Sequence, residues 1–163
     1  MLITAAQVIE MSFSNASTDP SLIKSQYIRA AQARFIRPLI GDDMYDELVA
    51  EKDANVYTGL NLTLIETYLQ PALAFYVKLL CLADMRLNTT SQGLMINNSE
   101  FANSGNREDK ADLAASTRDI ADTLLNEAIK YIEDEDNIDS FPLYLMANTN
   151  AKNPIGGVVL ERK

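Results

Sequence analysis

The segment from Ser25 to Leu48 constrains the fold most, because it contains a helix, a stop signal and the start of another helix. Upstream of Pro38, apolar residues recur at the spacing of one helix face: Ile23, Tyr27, Ala31 and Phe35. Arg37–Pro38 disfavours helical geometry just before the proline, and Gly41 is a typical helix C-cap. Asp42 or Asp43 can then cap a second helix over about 43–53 that carries Met44, Tyr45, Leu48 and Val49. The pattern predicts two helices joined by a tight corner at 38–41.

The remaining sequence patterns predict three more helices. They also predict that the helix before the corner starts upstream of Ser25. Thr4 is the expected cap of a short helix over 4–11 that buries Ala5, Val8 and Ile9. Asp19–Pro20 is a helix start signal, so the helix before the corner should run from there to about 36. We expect its solvent-facing side to carry Lys24, Arg29 and Gln32.

A long central helix is predicted over 62–88, with Pro71 marking either its true start or a bend. A last long helix is predicted over about 107–134. Its expected buried residues recur at helical spacing: Leu113, Thr117, Ile120, Leu124, Ala128 and Tyr131.

Two segments break the helical pattern. Residues 89–106 contain glycines, asparagines and the short apolar piece Leu94–Ile96, which favours a strand or a β-hairpin arm. From 148 to 163 the chain is polar and glycine-rich, and Val158–Leu160 is suited to a strand paired with another subunit. The predicted fold is therefore all-α: one helical domain over 1–147, built around a long central helix with an arm at 89–106, and an extended tail over 148–163.

Composition excludes several classes of site. The 163 residues include no histidine and one cysteine, Cys81, which we expect to be a buried thiol. Catalytic triads built on imidazole and zinc sites built on histidine or thiolate are excluded, and no phosphate-binding glycine motif occurs. We expect no enzyme activity, no cofactor and no metal. No apolar run approaches a membrane span, and a net charge of −9 disfavours nucleic-acid binding.

Two groups of acidic residues are candidate functional sites. Glu133, Asp134, Glu135 and Asp136 end the last helix, where the helix dipole disfavours negative charge. A solvated helix end explains them, and a role toward a partner or a surface field is the alternative. The second group, at 42–47, is explained by helix capping, with acid–base catalysis a remote alternative. Arg37 beside it can bind one of these carboxylates or a neighbouring chain.

The chain also resembles a known family, in LITAAQVIEM at 2–11, FIRPLIGDDMYDEL at 35–48 and YLQPALAFYVKLL at 68–80, and more loosely in SQGLMINNSE at 91–100. These segments are similar to the small helical head–tail connector proteins of tailed bacteriophages, particularly the ring proteins of phages that infect Bacteroidetes, including crAss-like phages. The resemblance implies a virion protein of the neck, assembled in the host cytoplasm, that forms a ring beneath the portal. Such rings are typically twelvefold, extend the DNA channel and join the capsid to the tail.

The resemblance also implies where partners bind. Its expected partners are other copies of the chain, the portal protein, tail or neck proteins, and genomic DNA that passes through without specific binding. Non-helical arms would contact adjacent subunits, which gives the interface candidates Gly93, Leu94, Met95, Ile96, Phe101, Ile155, Val158, Val159 and Leu160, together with Arg37 at the corner. In a ring, the carboxylates of 133–136 are candidates to face the channel, since a negative lumen repels phosphate.

The alternative function belongs to a different class. The acidic balance also fits a soluble helical module that binds a protein partner, as a chaperone or a nucleic-acid mimic does. That alternative predicts a monomer or a dimer, whereas the connector predicts rings.

Overall fold

The computed structural model describes residues 1–13, 19–82, 87–90, 93–96 and 107–144. Within these ranges the regular secondary structure is helical apart from one two-stranded hairpin, so the predicted all-α fold is confirmed. No helix in the described ranges is long and apolar enough to cross a membrane. The helices, in chain order, are α1 (Ala5–Ser12), α2 (Ser25–Ala31), α3 (Arg37–Ile40), α4 (Asp42–Ala54), α5 (Asn61–Thr63), α6 (Gln70–Cys81) and α7 (Arg107–Glu133).

Thr4 starts α1 as predicted. Its side-chain oxygen accepts a hydrogen bond from the Gln7 backbone N–H (3.3 Å), and the Gln7 side chain accepts one from the Thr4 N–H (3.0 Å). This reciprocal pair satisfies two N–H groups that the first turn leaves without partners. Val8 and Ile9 are buried, so the predicted inner face is confirmed.

The helix predicted to start at Asp19 begins six residues later. Asp19 accepts a hydrogen bond from the Ser21 N–H (2.8 Å), but it starts only the 3₁₀ turn Pro20–Leu22. The backbone of Ile23 then leaves the helical region (ψ 89°) while its side chain enters the core. Asp19 therefore caps a turn, and the predicted start was wrong.

Each of the two prolines inside a helix follows a π segment. The segment Gln32–Ile36 joins α2 to α3, which contains Pro38, and Leu64–Leu69 joins α5 to α6, which contains Pro71. A proline removes one N–H donor, and its ring collides with the carbonyl four residues earlier. In both cases that carbonyl lies in the π segment, whose wider turn changes the hydrogen-bond spacing. The helix therefore continues through both prolines, so the predicted stop before Pro38 was wrong. Of the two alternatives for Pro71, a helix start is excluded, because the helical run already begins at Asn61.

Gly41 alone makes the corner between α3 and α4. Its φ of 89° is one that residues with a side chain rarely adopt. Its N–H donates to the Arg37 carbonyl (3.1 Å) and its carbonyl accepts from the Tyr45 N–H (3.1 Å), so it ends one helix and starts the next. Asp42 and Asp43 follow as the first residues of α4 and do not cap it with their side chains, contrary to the prediction.

The central helical run is α5, the second π segment and α6. It buries Leu69, Leu73 and Val77 completely, as its apolar stripe predicts. Its predicted extension to Asn88 was wrong, because Leu87–Thr90 forms strand β1. The β-branched pair Thr89–Thr90 favours the strand.

Strand β1 pairs antiparallel with β2 (Gly93–Ile96), from Leu87 opposite Ile96 to Thr90 opposite Gly93. The rest of the predicted arm, 91–92 and 97–106, and the predicted tail, 148–163, lie outside the described residues.

Helix α7 has nearly the predicted bounds but a different buried face. Its fully buried side chains lie at Thr117, Ala121, Ala128 and Ile132, and Leu125 is nearly so. Leu113 and Ile120 were predicted to be buried, but they are 48% and 41% exposed. The small residues Thr117, Ala121 and Ala128 let α7 lie close to α6, while Leu113 and Ile120 are turned outwards.

Helix α6 is the common packing partner of α1, α2 and α7. Lys78 on α6 ties down the end of α1, because its ammonium group donates to the Ser12 carbonyl (2.7 Å). A positive charge at a helix C-terminus is favoured by the helix dipole. Cys81 is buried, as predicted.

The backbone of Leu2 is held by two buried glutamines. Its N–H donates to Gln32 Oε1 (3.0 Å), and its carbonyl accepts from Gln70 Nε2 (2.8 Å). The Gln32 amide nitrogen in turn donates to the Tyr45 hydroxyl (2.6 Å). Gln32 is only 3% exposed, so its predicted place on the solvent side was wrong. Its amide connects the first π segment, α4 and the first residues of the chain.

Replacing Gln32 with leucine should lower the free energy of unfolding by about 1–3 kcal/mol, because it leaves the buried Leu2 N–H unsatisfied. The matched control is Gln26→Leu, an exposed position on the same helix, where a change within about 0.5 kcal/mol is expected. Urea unfolding of both variants and the wild type measures the difference. Equal stabilities of the two variants would contradict the role of Gln32.

Candidate interaction surfaces

The corner brings Arg37 onto the acidic residues of α4. Its Nε donates to Asp42 Oδ1 (2.6 Å), its Nη2 lies 3.5 Å from Asp46 Oδ2, and its guanidinium lies over the Tyr45 ring. All of these charged groups are substantially exposed, so solvent screens the ion pairs and they add little to the stability of the corner. Of the two roles weighed for Arg37, the structure forms the contact within the chain.

A groove of about 510 Å³ lies between the helical run 25–40 and α7. It is lined by the apolar residues Phe35, Pro38, Leu39 and Leu125 and by Arg34 and Arg118. The Phe35 and Tyr76 rings stack with their centroids 4.0 Å apart. We call this surface the arginine groove.

The two arginines of the groove form few interactions within the chain. Arg118 Nε lies 3.5 Å from Asp122 Oδ2, while both groups are exposed. Arg34 lies over the ring of its neighbour Phe35 and has no ion pair with any described residue. Sequence analysis missed the groove, because Arg34 and Arg118 are far apart in the chain and only the packing of α7 brings them together.

A second surface lies on α7 itself. The exposed side chains of Leu113 and Ile120 are one heptad apart, and Leu124, half-buried, continues the same row. Asp112 and Asp119 lie beside this row, and neither forms an ion pair with any described residue. We call the surface formed by these five residues the α7 strip. The predicted apolar stripe contained its three apolar members, Leu113, Ile120 and Leu124, but placed them in the core.

The acidic residues 133–136, where α7 ends, are exposed. Asp134 accepts a hydrogen bond from the Asp136 N–H (3.0 Å), and Glu133 accepts one from the Tyr144 hydroxyl (2.8 Å). Asn137 donates to the Tyr131 carbonyl (3.0 Å) and so ends the helix. Among the described residues, no group of three or more acidic or cysteine side chains is arranged to hold a metal ion.

The remaining interface candidates lie on the hairpin or beyond the described ranges. Gly93, Leu94, Met95 and Ile96 form β2, the strand after β1. Phe101, Ile155, Val158, Val159 and Leu160 lie outside the described residues.

Comparison with known proteins identifies one family. The model described as a family of unknown function (DUF6712) matches residues 36–154, which is most of the chain, so the chain belongs to this family. No significant match was found among curated proteins or among solved structures.

Tyr76, which lines the arginine groove, should make the free energy of unfolding depend on pH in the alkaline range. Burial, together with the hydrogen bond from the Tyr76 hydroxyl to Asp122, raises the pKa of Tyr76 above its ordinary value of 10.0. The unfolded chain therefore loses this proton first, so the stabilising contribution is complete below pH 10 and is lost as the pH rises above it.

In Tyr76→Phe, the free energy of unfolding should fall less steeply between about pH 10 and 11 than in the wild type. The control is Tyr57→Phe, whose hydroxyl forms no hydrogen bond with a described residue. Denaturant unfolding at several pH values gives the slopes. The prediction fails if Tyr76→Phe and the wild type have the same slope.

Proposed function

We propose that this member of the DUF6712 family is a head–tail connector of a tailed bacteriophage. In this proposal, copies of the chain form a ring beneath the portal, typically twelvefold, that extends the DNA channel and joins the capsid to the tail. The protein would thus act in the virion neck, after assembly in the host cytoplasm. Its partners would be further copies, the portal and tail or neck proteins.

The observation that carries the proposal is the α7 strip. A helix at the surface of a monomer normally turns its polar side to water. Here α7 already packs one stripe of residues on the core and also exposes Leu113 and Ile120. Apolar rows outside a core are typical of surfaces that bind another protein. The resemblance of the corner segment at 35–48 to phage head–tail connectors suggests that this assembly is a connector ring.

The hairpin supports the same proposal. An isolated two-stranded hairpin is marginally stable in water, and pairing with another chain stabilises it. Strands β1 and β2 pair only with each other among the described residues. A neighbouring subunit would supply the contacts that the hairpin lacks within one chain.

The mass and symmetry of the purified protein test the connector directly. Light scattering and negative-stain images should give rings, alone or after addition of the portal. Incorporation into a virion neck supports the proposal equally. A monomer that ignores the portal and is absent from virions would overturn it and favour the alternative, a helical module that binds a partner through its acidic surface.

The exposed carboxylates of 133–136 are proposed to face the channel, where negative charge keeps phosphate from binding. Replacing Asp134, Glu135 and Asp136 with lysine should therefore slow DNA packaging or ejection, because the channel would then attract the genome. Packaged DNA per particle and ejection rate measure the effect in virions. The control is Ser140→Lys, an exposed position just beyond this turn. It adds a positive charge nearby without replacing any of the carboxylates. Unaltered particles from the triple variant would contradict the channel position.

A further inference from the structure

We infer that the α7 strip of one copy docks in the arginine groove of the next copy. This inference rests on the proposed ring and names the surfaces that would form it. The occupant of the groove is thus a second copy of this chain, presented through Ile120 and its neighbours.

The two surfaces are complementary in polarity. The groove offers the apolar side chains of Phe35, Leu39 and Leu125, and the strip offers Ile120 and Leu124. Docking would remove both apolar surfaces from water, which favours association.

They are also complementary in charge. The groove carries two arginines, Arg34 and Arg118, and one carboxylate, Asp122, so it has an excess of positive charge in a chain whose net charge is −9. The strip carries Asp112 and Asp119. Neither aspartate has an ion pair with any described residue, nor does Arg34, and Arg118 has one exposed contact at 3.5 Å. Docking would give these groups opposite charges at close range, which favours this orientation and disfavours others.

The two surfaces lie on different sides of one helix. With 3.6 residues per turn, Leu113, Ile120 and Leu124 lie on one flank of the buried stripe of α7. The groove residues Arg118 and Asp122 lie on the other flank. A surface on one side that binds a different surface on the other side makes a head-to-tail contact. Repetition of such a contact gives a ring when the rotation between subunits closes.

Cysteine cross-linking tests the pairing. Leu39→Cys places a thiol in the groove, and Ile120→Cys places one in the strip. A short bis-maleimide should convert the double variant at high concentration into a ladder of oligomers, because every copy has both partners. The native Cys81 stays unreactive at neutral pH, since burial raises the pKa of its thiol to about 11.

The control for cross-linking is Leu39→Cys with Val56→Cys, since Val56 is exposed and lies outside the strip. A ladder that is absent, or no stronger than that of this control, would overturn the pairing. A strip covered by residues 145–163 of its own chain would also give no ladder and so would overturn it.

Charge reversal gives an independent readout. Arg34→Glu and Asp119→Arg should each weaken self-association by about tenfold or more, because each puts like charges together. An equimolar mixture of the two variants should restore association, since every contact in an alternating assembly then joins opposite charges. The controls Arg29→Glu and Glu10→Arg change the same charges at exposed positions outside both surfaces, and they should associate as the wild type does. A mixture no better than its components would overturn the pairing.

The two proposals fail in different ways. Rings or neck incorporation without the specific ladder would overturn the docking of strip in groove and leave the connector intact. A specific ladder from a protein that never enters virions would overturn the connector and leave the docking intact.

Discussion

The hydrogen bonds around Leu2 are the constraint on which the rest of the structure depends. The backbone N–H and carbonyl of Leu2 bind Gln32 and Gln70. Gln32 lies in the first π segment, and Gln70 is the first residue of α6. An amide buried without a partner is costly, so both glutamines must keep their positions. The further bond from Gln32 to Tyr45 fixes α4 as well. Buried polar groups thus set the relative position of helices that apolar contacts alone would leave less defined.

Of the two π segments, the first places residues of the arginine groove. Phe35 lies in the first segment, where it stacks on Tyr76, and Arg34 beside it lines the groove. A regular α-helix from Ser25 to Ile40 would present these side chains in a different phase relative to the core. The same segments make room for Pro38 and Pro71. Helix continuity and groove geometry therefore have one common cause.

Local signals made much of the fold predictable. The Thr4 cap, the bounds of α4 and α7 and the stripe of α6 each depend on residues close in the chain. Gln32 could not be placed, because its partners are 30 and 13 residues away and a polar side chain at a helix surface is ordinarily solvated. The phase of α7 was missed because small residues, Thr117 and Ala121, pack on α6 while Ile120 faces outwards. The arginine groove arises only from packing, so no local pattern indicated it.

The π segment at Gln32–Ile36 has a consequence for how the chain can vary. A π turn is an α-helix that holds one additional residue. Loss of a single residue there, such as Ala33, would return the backbone to α-helical spacing, in which the ring of Pro38 collides with the carbonyl four residues earlier. Everything beyond it would rotate by about 100° about the helix axis. The corner at Gly41 would then point α4 away from the core. A deletion that shortens the π turn would thus disrupt both the local helix and the tertiary fold, so the length of this segment is fixed more strictly than its composition.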